Sequence, residues 1–148
     1  MNWMKSTYQS YYGHTDINSD AVTTGKSRVL GGIRGRTEST GLGVYFVTKK
    51  VLENPAIAKN LGIAPGIANK KFIVQGFGNV GYWASKFFVE GGAKLVGVAE
   101  FDGSIYNKDG IDPEELFNHR KNKKTILHFP GAENFTTEEA IYKEAYIS

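Results

Sequence analysis

The chain has 148 residues and a formal net charge of +3; 41% of its residues are hydrophobic, 22% are charged and none is cysteine. That length supports one domain with a modest core. The lack of cysteine excludes disulfide frameworks and cysteine–zinc sites. The charge is too small to call for a nucleic-acid partner, and no run approaches the ~18 apolar residues of a membrane span.

In chain order, residues 1–13 read as a short helix ended by Gly13-His14. MNWMKSTYQSYYGH lacks both the apolar run of a signal peptide and the arginine pattern of a transit peptide. Residues 14–35 are polar and broken by glycine, and Ile17, Val22, Val29 and Ile33 mark them as a structured loop. A helix is predicted from about Thr37 to Asn54, because Thr37, Glu38, Ser39 and Thr40 suit a first turn and Val44, Val47, Val51 and Leu52 follow at helical spacing. Asn54-Pro55 interrupts it, a short helix runs from Ala56 to Leu61, and Pro65-Gly66 turns the chain. Lys71–Gln75 (KFIVQ) is an apolar strand, a helix spans about Val80 to Val89, and Ala93–Glu100 (AKLVGVAE) is a second strand. Together these make one β-α-β unit of parallel strands joined by a crossover helix. Ser104–Tyr106 extends the chain further, and Asp112-Pro113 caps another helix with aspartate at the N-cap and proline in the first helical position. Arg120–Lys124 (RKNKK) reads as a solvated basic loop, and a last helix is predicted from near Thr136. No internal repeat and no metal-ligand spacing stand out.

Between the two strands lies IVQGFGNVG, with Gly76, Gly78 and Gly81 in the G-x-G-x-x-G spacing. A pyrophosphate needs several donors at close range, and a helix N-terminus supplies them only where side chains stand aside. Gly76 permits the turn out of the strand, Gly78 clears the face toward the phosphates, and Gly81 lets the helix pack on the strand. The spacing alone is a weak signal; strand before, helix after and an acid at the next strand's end strengthen it. That acid, Glu100, lies 19 residues beyond Gly81, where a carboxylate accepts bonds from ribose hydroxyls and repels a 2′-phosphate. The motif therefore favours NAD over NADP. The alternative is a glutamate that merely ends a strand. Arg36 and Thr40, one helical turn apart, read as one face of a helix start; on the residues alone, a surface arginine beside a capping threonine is the simpler account. His14 reads as structural.

Three stretches carry a family resemblance: YYGHTDIN…TGKSRVLGGIRGRTESTGLGV, KKFIVQGFGNVG and EFDGSIYNKDGIDPEEL. With them the chain resembles the glutamate dehydrogenases of the eukaryotic mitochondrial type over nearly its whole length. The resemblance implies an α/β fold: a partial, truncated doubly wound (Rossmann-like) sheet over residues 37–148, preceded by a junction segment from the substrate domain over residues 1–36. It implies NAD-dependent oxidative deamination of L-glutamate to 2-oxoglutarate and ammonia, a homohexamer, and the mitochondrial matrix. It places Arg36 near the substrate carboxylate and nicotinamide, and Thr40 on the nicotinamide carboxamide. Gly76, Phe77, Gly78, Asn79, Val80 and Gly81 match the loop contacts to the cofactor, with Glu100 on the adenosine ribose. Phe101 stands where animal enzymes commonly carry serine, and an aromatic ring cannot replace that hydroxyl as a donor. Leu42 and Glu90 replace two basic positions that serve GTP inhibition in animal enzymes, while Arg34 and Lys86 keep charge at two others, so weak GTP inhibition is expected. The family's catalytic lysine and aspartate fall upstream of Met1 in this match, so no residue of this chain is a candidate for them and the chain alone is expected to be inactive. A non-catalytic NAD-binding module and another amino-acid dehydrogenase, for leucine or phenylalanine, are the alternative readings.

Overall fold

The computed structural model describes residues 1–136; the helix predicted from near Thr136 lies outside the described residues. Two compact units are present, Met1–Thr37 and Glu38–Ser148.

In the first unit, helix α1 spans Asn2–Tyr12, and short 3-10 turns follow at Ser19–Val22 and Arg28–Leu30. The apolar residues that were expected to structure the loop do not do so. Ile17, Val29 and Ile33 are exposed. Polar contacts hold it instead. Lys5 Nζ lies 2.5 Å from Asp20 Oδ1, Gln9 donates to the same oxygen at 3.0 Å, and Lys26 donates to the carbonyls of Asp20 and Thr23. Too few apolar side chains sit at helical or alternating spacing there to bury one another.

In the second unit, α2 spans Ser39–Glu53 and α3 spans Pro55–Asn60. Asn54 separates them because its carbonyl oxygen Oδ1 accepts from the N–H of Ala56 at 3.0 Å, capping α3 with Pro55 in its first turn. Then come β1 (Lys71–Gln75), α4 (Asn79–Glu90), β2 (Lys94–Glu100), β3 (Gly103–Tyr106), α5 (Pro113–Lys123) and β4 (Glu133–Phe135). The sheet order is β1-β2-β3-β4. β1 and β2 run parallel, with Lys71 opposite Lys94 and Gln75 opposite Ala99. The α/β class and the β-α-β unit stand as read. The parallel run, however, covers that pair alone among the described strands: β2/β3 and β3/β4 are antiparallel. The cause is the connection. Phe101-Asp102 is a two-residue turn, which can only reverse the chain, whereas a parallel partner needs a crossover such as α4.

β2 is the centre of the core. Leu95, Val96, Val98 and Ala99 are buried on both of its faces, which explains its continuous apolar run. Phe72 of β1 packs on Phe88 of α4 with ring centroids 5.0 Å apart. Ile105, Ile111, Leu116 and Ile126 complete the same cluster. α2 lies unusually close to α4: a Cβ built on Gly41 would stand 2.6 Å from the Ala84 nitrogen. Only glycine permits that approach. β1 forms one edge of the described sheet, beside a groove of about 360 Å³ lined by Val44, Thr48, Phe72, Val74, Val80 and Ala84.

Candidate functional site

β1 delivers the chain to the glycine loop, and α4 begins directly after it. Gly76 takes φ +85°, in the left-handed region, and its N–H donates to the Ala99 carbonyl at 2.7 Å. That bond ties the loop's first residue to β2. Gly81 is forced: an added Cβ would lie 1.9 Å from the Gly76 carbonyl oxygen and 3.2 Å from Val74. Gly78 differs, because nothing lies within 4 Å of its Cβ direction. It is the residue before α4, in extended conformation. Gly76, Gly78, Asn79 and Val80 are all exposed. The start of α4 thus opens to solvent at the positive end of the helix dipole, the environment an anionic phosphate needs.

Phe77 faces the other way. Its side chain is fully buried and meets Tyr82 edge-on at 6.1 Å, so only its backbone is presented to the loop's surroundings. Its N–H donates to Glu100 Oε1 at 2.7 Å. Glu100 also pairs with Arg120, whose Nη2 lies 3.0 Å from the same oxygen. The Glu100 side chain is 11% exposed and that of Arg120 32%. Arg120 donates through Nη1 to the Phe77 carbonyl as well. A bond from a guanidinium and a bond from an amide hold the carboxylate at the end of β2, directly beside the loop. Phe101 follows at the hairpin turn and is 93% exposed.

α5 explains how Arg120 arrives there. Asp112 Oδ1 accepts from the N–H groups of Glu114 and Glu115, both at 2.8 Å, and starts the helix where the sequence indicates. The helix then continues to Lys123, so the basic run is its last turn and not a loop. Lysine and arginine there complement the negative end of the helix dipole. Phe117 and Arg120 are three apart and share a face. Phe117 stacks on Tyr82 with centroids 4.4 Å apart, and that contact sets Arg120 against the loop. Arg120 is the site residue that sequence reasoning missed. The legible signal was the helical continuation of α5 past Asn118, with an arginine one turn beyond an aromatic; its partners lie 43 residues upstream in the loop and 20 upstream at Glu100, which no local pattern reports.

The start of α2 differs from the expectation. α2 begins at Ser39, so Arg36 sits in the turn before it and helical spacing does not relate the two. Arg36 belongs to the first unit, where it lines a cavity of about 440 Å³ with Thr23, Lys26 and Ile33. Thr40 is exposed in the first turn of α2 in the second unit. Among the described residues no cluster of histidine, aspartate and glutamate is arranged to hold a metal ion, and no helix is long and apolar enough to cross a membrane.

A strand, a glycine loop with one forced glycine, a helix opening at its N-terminus and an acid at the next parallel strand's end define a β-α-β unit of the dinucleotide-binding class. Residues 31–146 match the model of the Glutamate/Leucine/Phenylalanine/Valine dehydrogenase family, and the chain belongs to that family. It is 46% identical over 134 residues to the mitochondrial glutamate dehydrogenase of Dictyostelium discoideum, covering 90% of this chain and 26% of that protein. Among solved structures it is similar to the hetero-hexameric glutamate dehydrogenase of Thermus thermophilus in its leucine-bound form, with a TM-score of 0.75 and 29% identity over 97% of this chain and 31% of that one. It is also similar to glutamate dehydrogenase from Peptoniphilus asaccharolyticus, with a TM-score of 0.66 and 35% identity over 84% of this chain and 30% of that one. The chain therefore spans about a quarter to a third of the length of these relatives.

Proposed function

We propose that this chain is the cofactor-binding part of an NAD-dependent glutamate dehydrogenase that deaminates L-glutamate oxidatively to 2-oxoglutarate and ammonia. One observation supports the cofactor reading: the Phe77 N–H donates to Glu100 Oε1 at 2.7 Å, which holds a carboxylate beside the glycine loop, and an acid at the end of the second strand is the group that takes ribose hydroxyls in such units. The identity to a named glutamate dehydrogenase supports the substrate. Bound NAD would accept the hydride from the α-carbon of glutamate. The chain's own residues would bind and orient it. The amides of the loop and of the first turn of α4, at Gly78, Asn79, Val80 and Gly81, would receive the pyrophosphate. Gly76 and Phe77 shape the loop, and Glu100 takes the adenosine ribose. Phe101 offers no hydroxyl to a 2′-phosphate, which together with Glu100 favours NAD over NADP. By the family resemblance, Thr40 would hold the nicotinamide carboxamide and Arg36 would serve the substrate carboxylate. Assembly as a hexamer and a mitochondrial location follow from the same kinship.

Titration of the purified chain with NADH and with NADPH, followed by nicotinamide fluorescence, tests this. NADH is expected to bind more tightly. Glu100→Gln keeps an oxygen for the Phe77 N–H but loses the charge, so it should weaken NADH about tenfold or more, the worth of a charged hydrogen bond, and narrow the gap to NADPH. A folded chain that binds neither cofactor rejects the reading.

A further inference from the structure

Arg120 does more than neutralise Glu100. We infer that Arg120 is a positioning residue for the phosphate-binding loop: it aims the Gly78 amide by holding the carbonyl on the other side of the same peptide bond. This rests on the cofactor reading given above. The described peptide bonds are trans. In a trans peptide the carbonyl of one residue and the N–H of the next point in opposite directions within one plane. The peptide between Phe77 and Gly78 carries the Phe77 carbonyl, which accepts from Arg120 Nη1. Its other side is the Gly78 N–H, which is thereby turned away from α5. The space about Gly78 on the loop is open.

The preceding peptide is held too. Its N–H, that of Phe77, donates to Glu100 Oε1 at 2.7 Å, and Glu100 is in turn held by Arg120 Nη2 at 3.0 Å. One guanidinium thus fixes two consecutive peptide planes, one directly and one through the carboxylate. Glycine on both sides of Phe77 would otherwise leave this segment free to rotate. A planar fork with several donors can do this; a lysine, with one ammonium group, can satisfy one partner well but not both at fixed angles. The buried Phe77 ring and the Phe117–Tyr82 stack hold the parts in register. The loop is therefore shaped before any ligand arrives, which lowers the ordering cost of binding.

Arg120→Met and Arg120→Lys in this chain test the inference. Because Arg120 acts through the loop, Arg120→Met should weaken NADH about tenfold, and NADPH at least as much because the Glu100 charge is left unmasked. Arg120→Lys should recover part of that loss. The amide proton resonance of Gly78 should move in Arg120→Met without ligand present, a readout that does not depend on the cofactor reading. Circular dichroism establishes that each variant is folded; if Arg120→Met does not fold, Arg120→Lys alone must still show the intermediate affinity and the shifted amide. Unchanged NADH affinity in a folded Arg120→Met overturns the inference, and so does a loss confined to NADPH. Wild-type chain that binds no cofactor would instead reject the cofactor reading, while the Gly78 amide still reports whether Arg120 aims it.

Discussion

Gly81 shows how much a single missing methyl can decide. Its α-carbon faces the Gly76 carbonyl so closely that a Cβ would stand 1.9 Å away. Both atoms belong to rigid backbone, one at the loop's first residue and one in the first turn of α4. Alanine there must push the helix off the strand. Gly81→Ala is expected to cost about 3 kcal/mol of stability, the upper range for overpacking, and to abolish NADH binding by displacing the helix terminus. Urea unfolding and the fluorescence titration measure the two effects; wild-type stability in the variant would show that the loop relaxes around the methyl. The glycine spacing was legible because it is a local constraint, written over six positions. That the three glycines serve different ends was only partly so. Gly76 and Gly81 are required by conformation and contact, whereas Gly78 stands in open space and neither demands glycine there.

Among the elements, α5 contributes most to the site. Its start is visible in the sequence, since Asp112 and Pro113 form a cap whose hydrogen bonds are made as anticipated. Its end is not, because the run RKNKK has the composition of a loop but closes a helix. Lys124 ends the helix in the left-handed region, with φ 63°, a conformation that favours glycine. Lys124→Gly should therefore raise stability by about 1 kcal/mol and leave NADH affinity unchanged. A thermal melt that falls or stays level would mean that the lysine's charge at the helix end outweighs its backbone strain. The α2–α4 contact was equally hidden. Nothing in the spacing of Gly41 distinguishes it from Gly43, yet only Gly41 has the other helix against it.

At the scale of the molecule, the two units are held by different forces. Among the described residues, every buried apolar residue of the core lies between Leu52 and Phe129, and none belongs to Met1–Thr37. The first unit relies on polar contacts in water, which are individually weak. Amide hydrogen exchange in residues 1–37 should accordingly be much faster than in β1 and β2; equal protection would contradict this division. Acid should accentuate it. The hydrogen bond from Lys5, and then its charge, hold the Asp20 carboxyl below its ordinary pKa of 3.8. A group depressed in the folded state stabilises above its unfolded pKa, and that contribution is lost as pH falls through the folded value. The first unit should loosen further at acidic pH, while Asp20→Asn removes this dependence and is loose at all pH values. Exchange rates of α1 followed against pH provide the measurement.

The sequence by itself determined the β-α-β unit, the glycine loop and the acid that ends β2, because each is set by periodicity or by conformational demands spanning a few residues. The family resemblance rested on the same short stretches. Tertiary structure alone decided that the apolar residues of the first unit stay exposed and that Arg120 meets Phe77 and Glu100. The physical reason is common to both. A side chain's partner is chosen by where the chain folds back, and neither residue type nor spacing carries the distance between a guanidinium on α5 and a carbonyl 43 residues earlier.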